Sequence, residues 1–377
     1  MGIEDKSYNI IVIYLSTSFL SCFFITLFLI RYQNIHLKFS ADNQSGPQKF
    51  HLKATSRVGS IGIFIGLILG LGLKDFFDNE SFGVTTLIPI LCLPAFGVGL
   101  IEDITKKVSP QIRLFVIAAG GLCSLYFLNI QISSVGIWGL DFLLSFTIIS
   151  LIFSVFAITG LANAYNLIDG FNGLASMVGV IALIAIAYIG FKVNDNLIVF
   201  LSLAMVASIL GFFLWNYPKG LIFLGDGGAY LIGFWIALLS ILLVSNNSSV
   251  SPWYALLVNA YPILETGFSV WRRKIHRGHH SMMPDGIHFH TLIYRRIVKW
   301  AHIPRSPNQS YIGNARTSPY LWFFSSISVV PAVLFWDNTS ALIVSSISYV
   351  ILYVYIYFRI VRFKKMTPPP PHNTPVM

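Results

Sequence analysis

Residues 163–191 read NAYNLIDGFNGLASMVGVIALIAIAYIGF. The second part, from Leu174 to Phe191, carries no charge and approaches the ~20 apolar residues that cross a bilayer as a helix. The first part crowds three asparagines, an aspartate and two glycines into the entrance of that run. The same alternation of apolar run and Gly-, Asn- or Asp-rich motif recurs along all 377 residues. The chain is 55% hydrophobic and 11% charged, with a mean hydropathy of +0.72. Soluble domains carry about 25% charged residues, so a soluble globular fold is excluded.

Eleven apolar runs are visible, at roughly 9–30, 58–73, 84–101, 113–129, 142–162, 174–191, 197–214, 228–244, 252–270, 318–336 and 341–358. They predict an all-α, polytopic membrane protein of about eleven transmembrane helices. Residues 1–358 form one transmembrane domain on this reading, with its polar chemistry in the loops 31–57, 102–113, 163–173, 215–228 and 271–317. Residues 359–377 are basic and then proline-rich, a tail that cannot be helical. The run at 9–30 has no basic stretch before it and no small-residue cleavage site after it, and reads as a retained helix. Segment 130–141 (IQISSVGIWGLD) adds an interfacial strand or short helix. Cys22, Cys92 and Cys123 lie in apolar runs without CxxC spacing and read as small buried hydrophobes.

An odd number of crossings puts the two ends on opposite sides. With the N-terminus outside, every one of the 25 Lys and Arg except Lys6, Lys74 and Lys192 falls on the inner side, as do all nine His. That is the positive-inside pattern, and it places the active site on the cytoplasmic face. The net charge of +10 then reports orientation and contact with anionic lipid, not nucleic acid. The inner acids are Asp42, Glu102, Asp103, Asp169, Asp226, Glu265 and Asp285. Most sit at span ends, where a carboxylate is costly unless it pairs or binds a cation.

Five segments carry chemistry. In GLIED (99–103), Glu102 and Asp103 are adjacent at an inner helix end, a metal or phosphate site or a plain interfacial acid pair. In NAYNLIDGFNGLAS (163–176), Asn163, Asn166 and Asp169 share one helical face, while Gly170 and Gly173 let the backbone turn N–H groups toward an anion. The plain alternative is a polar helix cap. In FLGDGGAYLIG (223–233), Asp226 is a hard oxygen ligand suited to Mg²⁺, and Gly227 and Gly228 open a helix N-terminus suited to phosphate; a simple Gly-Asp turn is the alternative. In RRKIHRGHHSMMPDGIHFH (272–290), Arg272, Arg273, Arg277, His279, His280, Asp285, His288 and His290 crowd one loop, either for phosphate or as a basic membrane-hugging segment. His288 and His290 share a face only on an extended segment, unlike the helical HExxH of zinc proteases. In KFHLKATSRVGSIGI (49–63), Lys49, His51, Thr55 and Arg57 alone amount to a basic juxtamembrane stretch. Together these segments supply carboxylates for a hard metal, N–H groups and cations for phosphate, and amides for a sugar or base. That combination suits phosphoryl transfer from a soluble donor to a membrane lipid.

In this order and spacing, from about Lys49 to about Leu292, the chain resembles the polyprenyl-phosphate N-acetylhexosamine-1-phosphate transferases, the glycosyltransferase 4 family. The ordered set is the acid pair, NxxNxxDGxxGL, GDxGxxxxG and a late PDxxHxH. The peptidoglycan branch, the phospho-MurNAc-pentapeptide translocases, carries three consecutive histidines. PDGIHFH here is similar to the branch that starts O-antigen and related glycans. Two positions depart from the family pattern: its paired aspartates stand here as Glu102-Asp103, and the second acid of its DGxDG is Asn172.

The resemblance implies transfer of HexNAc-1-phosphate from a UDP-sugar to undecaprenyl phosphate, with release of UMP, in the bacterial inner membrane. It implies Mg²⁺, with Mn²⁺ as a substitute, held by Asp226. It gives Glu102, Asp103, Asp169 and His288 to catalysis, with Glu102 or Asp103 acting on the lipid phosphate. It gives Lys49, Thr55, Arg57, Asn163, Asn166, Asn172, Arg277, Asp285 and His290 to substrate binding. Partners are the lipid acceptor, the UDP-HexNAc donor and bilayer lipid, and a homodimer is compatible with it. A transporter of an anionic metabolite, the alternative from another class, would need ionisable groups near the midplane, where only Glu265 looks embedded.

Overall fold

The computed structural model describes residues 3–40, 55–77, 83–276, 287–298 and 310–362. Lys49, Arg277 and Asp285, with Asp42, His51, His279, His280 and the tail beyond residue 362, lie outside the described residues. Within them there is no strand. The helices are α1 (Ile3–Arg31), α2 (Gln33–Ser40), α3 (Gly59–Phe77), α4 (Val84–Thr105), α5 (Pro110–Leu128), α6 (Trp138–Leu144), α7 (Thr147–Ile168), α8 (Leu174–Lys192), α9 (Asn196–Asn216) and α10 (Gly225–Asn246). They continue with α11 (Pro252–Val258), α12 (Ala260–His276), α13 (Phe289–Ile293), which runs into a π-helical turn, α14 (Ser310–Leu334) and α15 (Thr339–Arg362).

Ten of these helices, α1, α3, α4, α5, α7, α8, α9, α10, α14 and α15, are long and apolar enough to cross a membrane. The run expected as one crossing at 252–270 is instead broken at Asn259 into α11 and α12. Asn259 satisfies its own break: Oδ1 accepts from the Tyr165 hydroxyl at 3.2 Å and Nδ2 donates to Ala255 O at 3.0 Å. The pair still traverses the protein. Ser251, at the start of α11, donates its backbone N–H to Trp336 O and pairs its hydroxyl with Thr339 at the start of α15. Arg272, near the end of α12, meets Tyr357, about five turns or ~27 Å further along α15. Among the described residues the crossings therefore number eleven, ten as single helices and one as a broken pair.

Small residues set how closely these helices approach. Gly62, Gly66 and Gly70 recur every four residues on α3 and face Ser18, Cys22 and Thr26, spaced alike on α1. A Cβ on Gly66 would lie 2.6 Å from Ser18 O, so only glycine permits this contact. α10 is the central post, buried from Gly225 through Leu243. Large apolar side chains such as Phe115, Ile148, Phe156 and Phe323 are exposed on the periphery, as lipid-facing residues are. Segment 130–141 resolves into the short helix α6, whose Trp138 is exposed. Cys22 and Cys92 are buried as expected, whereas Cys123 is exposed on α5; all three are free.

Alternation of direction brings the starts of α3, α5, α8, α10 and α14 to the same end as the finishes of α4, α7, α9 and α12. Every described motif residue sits at that end.

Candidate functional site

The site is nucleated by an extended segment lying beside a turn. Phe223 donates its N–H to Ser56 O (2.8 Å) and accepts from Gly59 N (3.0 Å). This pairing carries Arg57, which local sequence marks only as juxtamembrane, to the N-terminus of α10. There Arg57 reaches both acids of the cluster: Nη2 is 2.6 Å from Asp226 Oδ1 and Nε is 3.2 Å from Asp103 Oδ1. Arg113, on the first turn of α5, pairs with the other oxygen of Asp226. Its helix is set by Ser109, whose hydroxyl caps Ile112 N, with Pro110 at the first position.

Asp103 is fully buried, and its Oδ2 accepts from Gly227 N at 2.9 Å. That contact requires Gly225, which sits at φ +76°; a Cβ there would meet Asp103 Oδ2 at 2.5 Å. Asp169 ends α7 and is half-buried beside the same cluster. Burial pushes its carboxyl up to about 7; Asp226 and Asp103 add to the rise and Arg57 opposes it. Asn163 and Asn166 lie on the two turns that precede it and are half-buried. Thr55 is buried two residues before Arg57.

Glu102 and Asn172 face elsewhere. Glu102 Oε2 accepts from Val108 N at 2.8 Å and closes the α4–α5 turn. Asn172, 3% exposed, donates Nδ2 to Pro218 O at 3.1 Å, so its side chain is spent on the α9–α10 connection. The backbone around Asn172 is clamped by one face of α14. Asn314 Oδ1 accepts from Asn172 N (2.9 Å), Ser318 Oγ donates to Asn172 O (2.7 Å), and Trp322 Nε1 donates to Gly173 O (3.1 Å). Asn216 Oδ1 takes Gly173 N at 2.6 Å.

The late motif abuts this loop. His290 is buried, with its ring edge-on to Phe171 and Nε2 3.2 Å from where a Cβ on Gly170 would be. Burial and the neighbouring His288 hold the His290 imidazole down to about 3, with Glu265 opposing. His288 stacks on His290 with centroids 5.2 Å apart and planes 5° from parallel.

The structure thus brings Arg57, Asp103, Asp169 and Asp226 into one cluster, with His290 beside it across Gly170. Sequence reading misses Arg113 as a partner of Asp226, and Asn216, Asn314, Ser318 and Trp322 as clamps. Only Arg113 leaves a signal, as an arginine one short turn after the acid pair.

Asp169 and Asp226 supply oxygen ligands of the kind Mg²⁺ takes, one or two carboxylates completed by substrate phosphates. No set of three His, Cys, Asp or Glu among the described residues forms a self-contained metal cage. The all-oxygen donor chemistry fits a phosphate-borne Mg²⁺, with Mn²⁺ compatible.

Buried carboxylates interleaved with two guanidiniums, at one end of an eleven-crossing helical protein, define a membrane enzyme that handles charged phosphate groups. The model of glycosyl transferase family 4 matches residues 85–244. The chain is 31% identical to the undecaprenyl-phosphate alpha-N-acetylglucosaminyl 1-phosphate transferase of Pasteurella multocida over 289 residues, 74% of this chain and 78% of that protein. It is similar to enzymes of the same name from Thermotoga maritima, 27% identical over 67% of this chain and 72% of that one, and Escherichia coli K12, 25% identical over 74% and 76%. The chain belongs to glycosyl transferase family 4.

Proposed function

We propose that this protein transfers HexNAc-1-phosphate from a UDP-HexNAc to undecaprenyl phosphate on the cytoplasmic face of a bacterial inner membrane, starting a cell-envelope glycan of the O-antigen type. The observation that carries this is the Arg57–Asp103–Asp226–Arg113 cluster with Asp169 beside it, at the end of the bundle that the positive-inside pattern assigns to the cytoplasm. Relatives named for the same transfer support it.

In the reaction a phosphate oxygen of the lipid attacks the sugar-bearing β-phosphorus of the donor. The bond from that phosphorus to the bridging oxygen breaks, and UMP leaves with the electron pair. Asp103, buried behind Arg57, would take the proton of the lipid phosphate or hold Arg57 toward it. Arg57 and Arg113 balance the charge that gathers on the phosphoryl oxygens. Asp169 and Asp226 would hold Mg²⁺, which when bound neutralises diphosphate charge. Asn163 and Asn166 orient the nucleotide, and His288 and His290 support the diphosphate and sugar. The PDGIHFH pattern favours this over the pentapeptide translocase. A transporter finds no support in Glu265, whose two oxygens are both engaged within the protein.

The test is UMP release by membranes containing the protein, given a panel of UDP-HexNAc donors, with and without undecaprenyl phosphate and Mg²⁺. Lipid- and Mg²⁺-dependent UMP release is expected. Release that does not depend on the lipid would sink the reading.

A further inference from the structure

Glu265 lies in α12, 0% exposed, and is absent from the chemistry described above. Both its oxygens are engaged. Oε1 accepts from Phe289 N at 3.0 Å and contacts His288 Nδ1 at 3.1 Å; Oε2 accepts from the Tyr353 hydroxyl at 3.0 Å. Ser269 and Arg273 follow Glu265 at successive four-residue steps on the same face of α12, and both reach the same imidazole. Ser269 Oγ is 3.1 Å from Nδ1, and Arg273 Nη2 is 3.1 Å from Nε2.

The donor inventory fixes the tautomer. An ionised carboxylate has only lone pairs to give, so Glu265 Oε1 takes its hydrogen bond from His288 Nδ1–H; the long, half-buried Arg273 side chain agrees by donating to Nε2 but does not hold the ring alone. The ring proton is then on Nδ1 and points at Glu265. His288 in turn is the parallel stacking partner of His290, which meets Gly170 beside Asp169. A sealed carboxylate is costly to bury unless every lone pair does something. Here it ties α12, α15 and the late motif to one ring.

We propose that Glu265 is a positioning residue: it holds His288 in the Nδ1–H tautomer, with Nε2 turned to Arg273, and so fixes the late motif against the Asp169 loop. The proposal rests on the transferase reading for its effect on turnover, while the pairing itself stands apart from that reading.

The experiment uses the full-length protein in proteoliposomes with ¹⁵N-labelled histidine, the His288 signals being assigned through His288→Asn. Wild type and Glu265→Gln, whose amide oxygen still accepts from Nδ1 and whose NH₂ can donate to the Tyr353 oxygen, should show the proton on Nδ1. Glu265→Leu, which leaves only the half-buried Arg273 and the Ser269 hydroxyl at the ring, should give a mixture of the two tautomers. In parallel, Glu265→Leu should lower kcat for UMP release by about 10–100-fold, the usual effect of losing a partner that orients an imidazole from behind, while Glu265→Gln stays near wild type. A wild-type His288 protonated on Nε2, a tautomer indifferent to Glu265→Leu, or full turnover in Glu265→Leu overturns the proposal. If Glu265→Leu fails to insert, the wild-type spectrum alone still decides. If wild type releases no UMP from any UDP-HexNAc, the transferase reading falls, and the tautomer measurement still judges the pairing.

Discussion

Asn172→Asp restores the residue usual in the family, and the structure says that it should harm this protein. The native amide gives a proton to Pro218 O at 3.1 Å from a position 3% exposed. An ionised carboxylate there turns a donor into an acceptor that faces a carbonyl. Losing the hydrogen bond costs about 1 kcal/mol. Burying the new charge costs more, unless the carboxyl takes up a proton. That uptake costs about 1.4 kcal/mol for each pH unit above the ordinary Asp value, so roughly 4 kcal/mol at neutral pH is the ceiling. The pH dependence has a definite sign. A folded-state pKa raised above that of the unfolded chain means a penalty absent at low pH and growing as pH rises from about 4. Once protonated, the introduced carboxyl can again donate to Pro218 O. Thermal unfolding in detergent should therefore place Asn172→Asp below wild type at pH 7.5, with the gap closing toward pH 5. The choice among UDP-sugars should not change. An unchanged midpoint at pH 7.5, or a new donor preference, would show that the side chain faces the substrate and refute the reasoning.

Glu102→Gln should be mild, because the Gln oxygen still accepts from Val108 N, whereas Asp103→Asn removes the charge facing Arg57 and should cut turnover by about 10²–10⁴-fold; equal losses in initial-rate assays would count against this division of labour. His290 is held near 3 in the fold, below its unfolded value, so stability present above about pH 6.5 should fall by roughly 1.4 kcal/mol per unit as pH drops from there toward 3. His290→Asn should flatten that slope in melts between pH 7 and 5, and an unchanged slope would mean that the ring is solvated. Gly66→Val should force α1 off α3, at a cost of about 1–3 kcal/mol in unfolding measurements; wild-type stability would contradict the close contact with Ser18.

The crossings are legible in the sequence because an apolar run of bilayer length has few alternatives. The break at Asn259 is not, because one amide inside such a run is compatible with an unbroken helix until Tyr165 is known to meet it. The apolar run of α10 begins three residues after the helix itself: Gly-Asp-Gly-Gly is a poor helix opening by propensity, and only the bond from Gly227 N to Asp103 pins it. The acids Asp103, Asp169 and Asp226 declare themselves by lying at span ends. Their cations do not, since nothing in local spacing links Arg57 or Arg113 to Asp226, separated from it by 169 and 113 positions. The motif around Asn172 suggests a side chain turned to the substrate; its true partner, Pro218, lies in another loop.

The clamp from α14 has a consequence for how the protein is made. The bond from Trp322 to Gly173 joins residues 149 apart in the chain. At about 5–20 residues per second, a ribosome takes roughly 7–30 s to travel between them. During that interval the acids of α4, α7 and α10 can already be in the bilayer, while the loop that carries Asp169 still lacks the anchors of Asn314, Ser318 and Trp322. A nascent chain stopped short of α14 would be inserted with its carboxylates in place and its Asp169 loop unsecured. Competence is thus withheld until α14 has been made, and a chain cut before α14 should lose the site while it still integrates into the membrane.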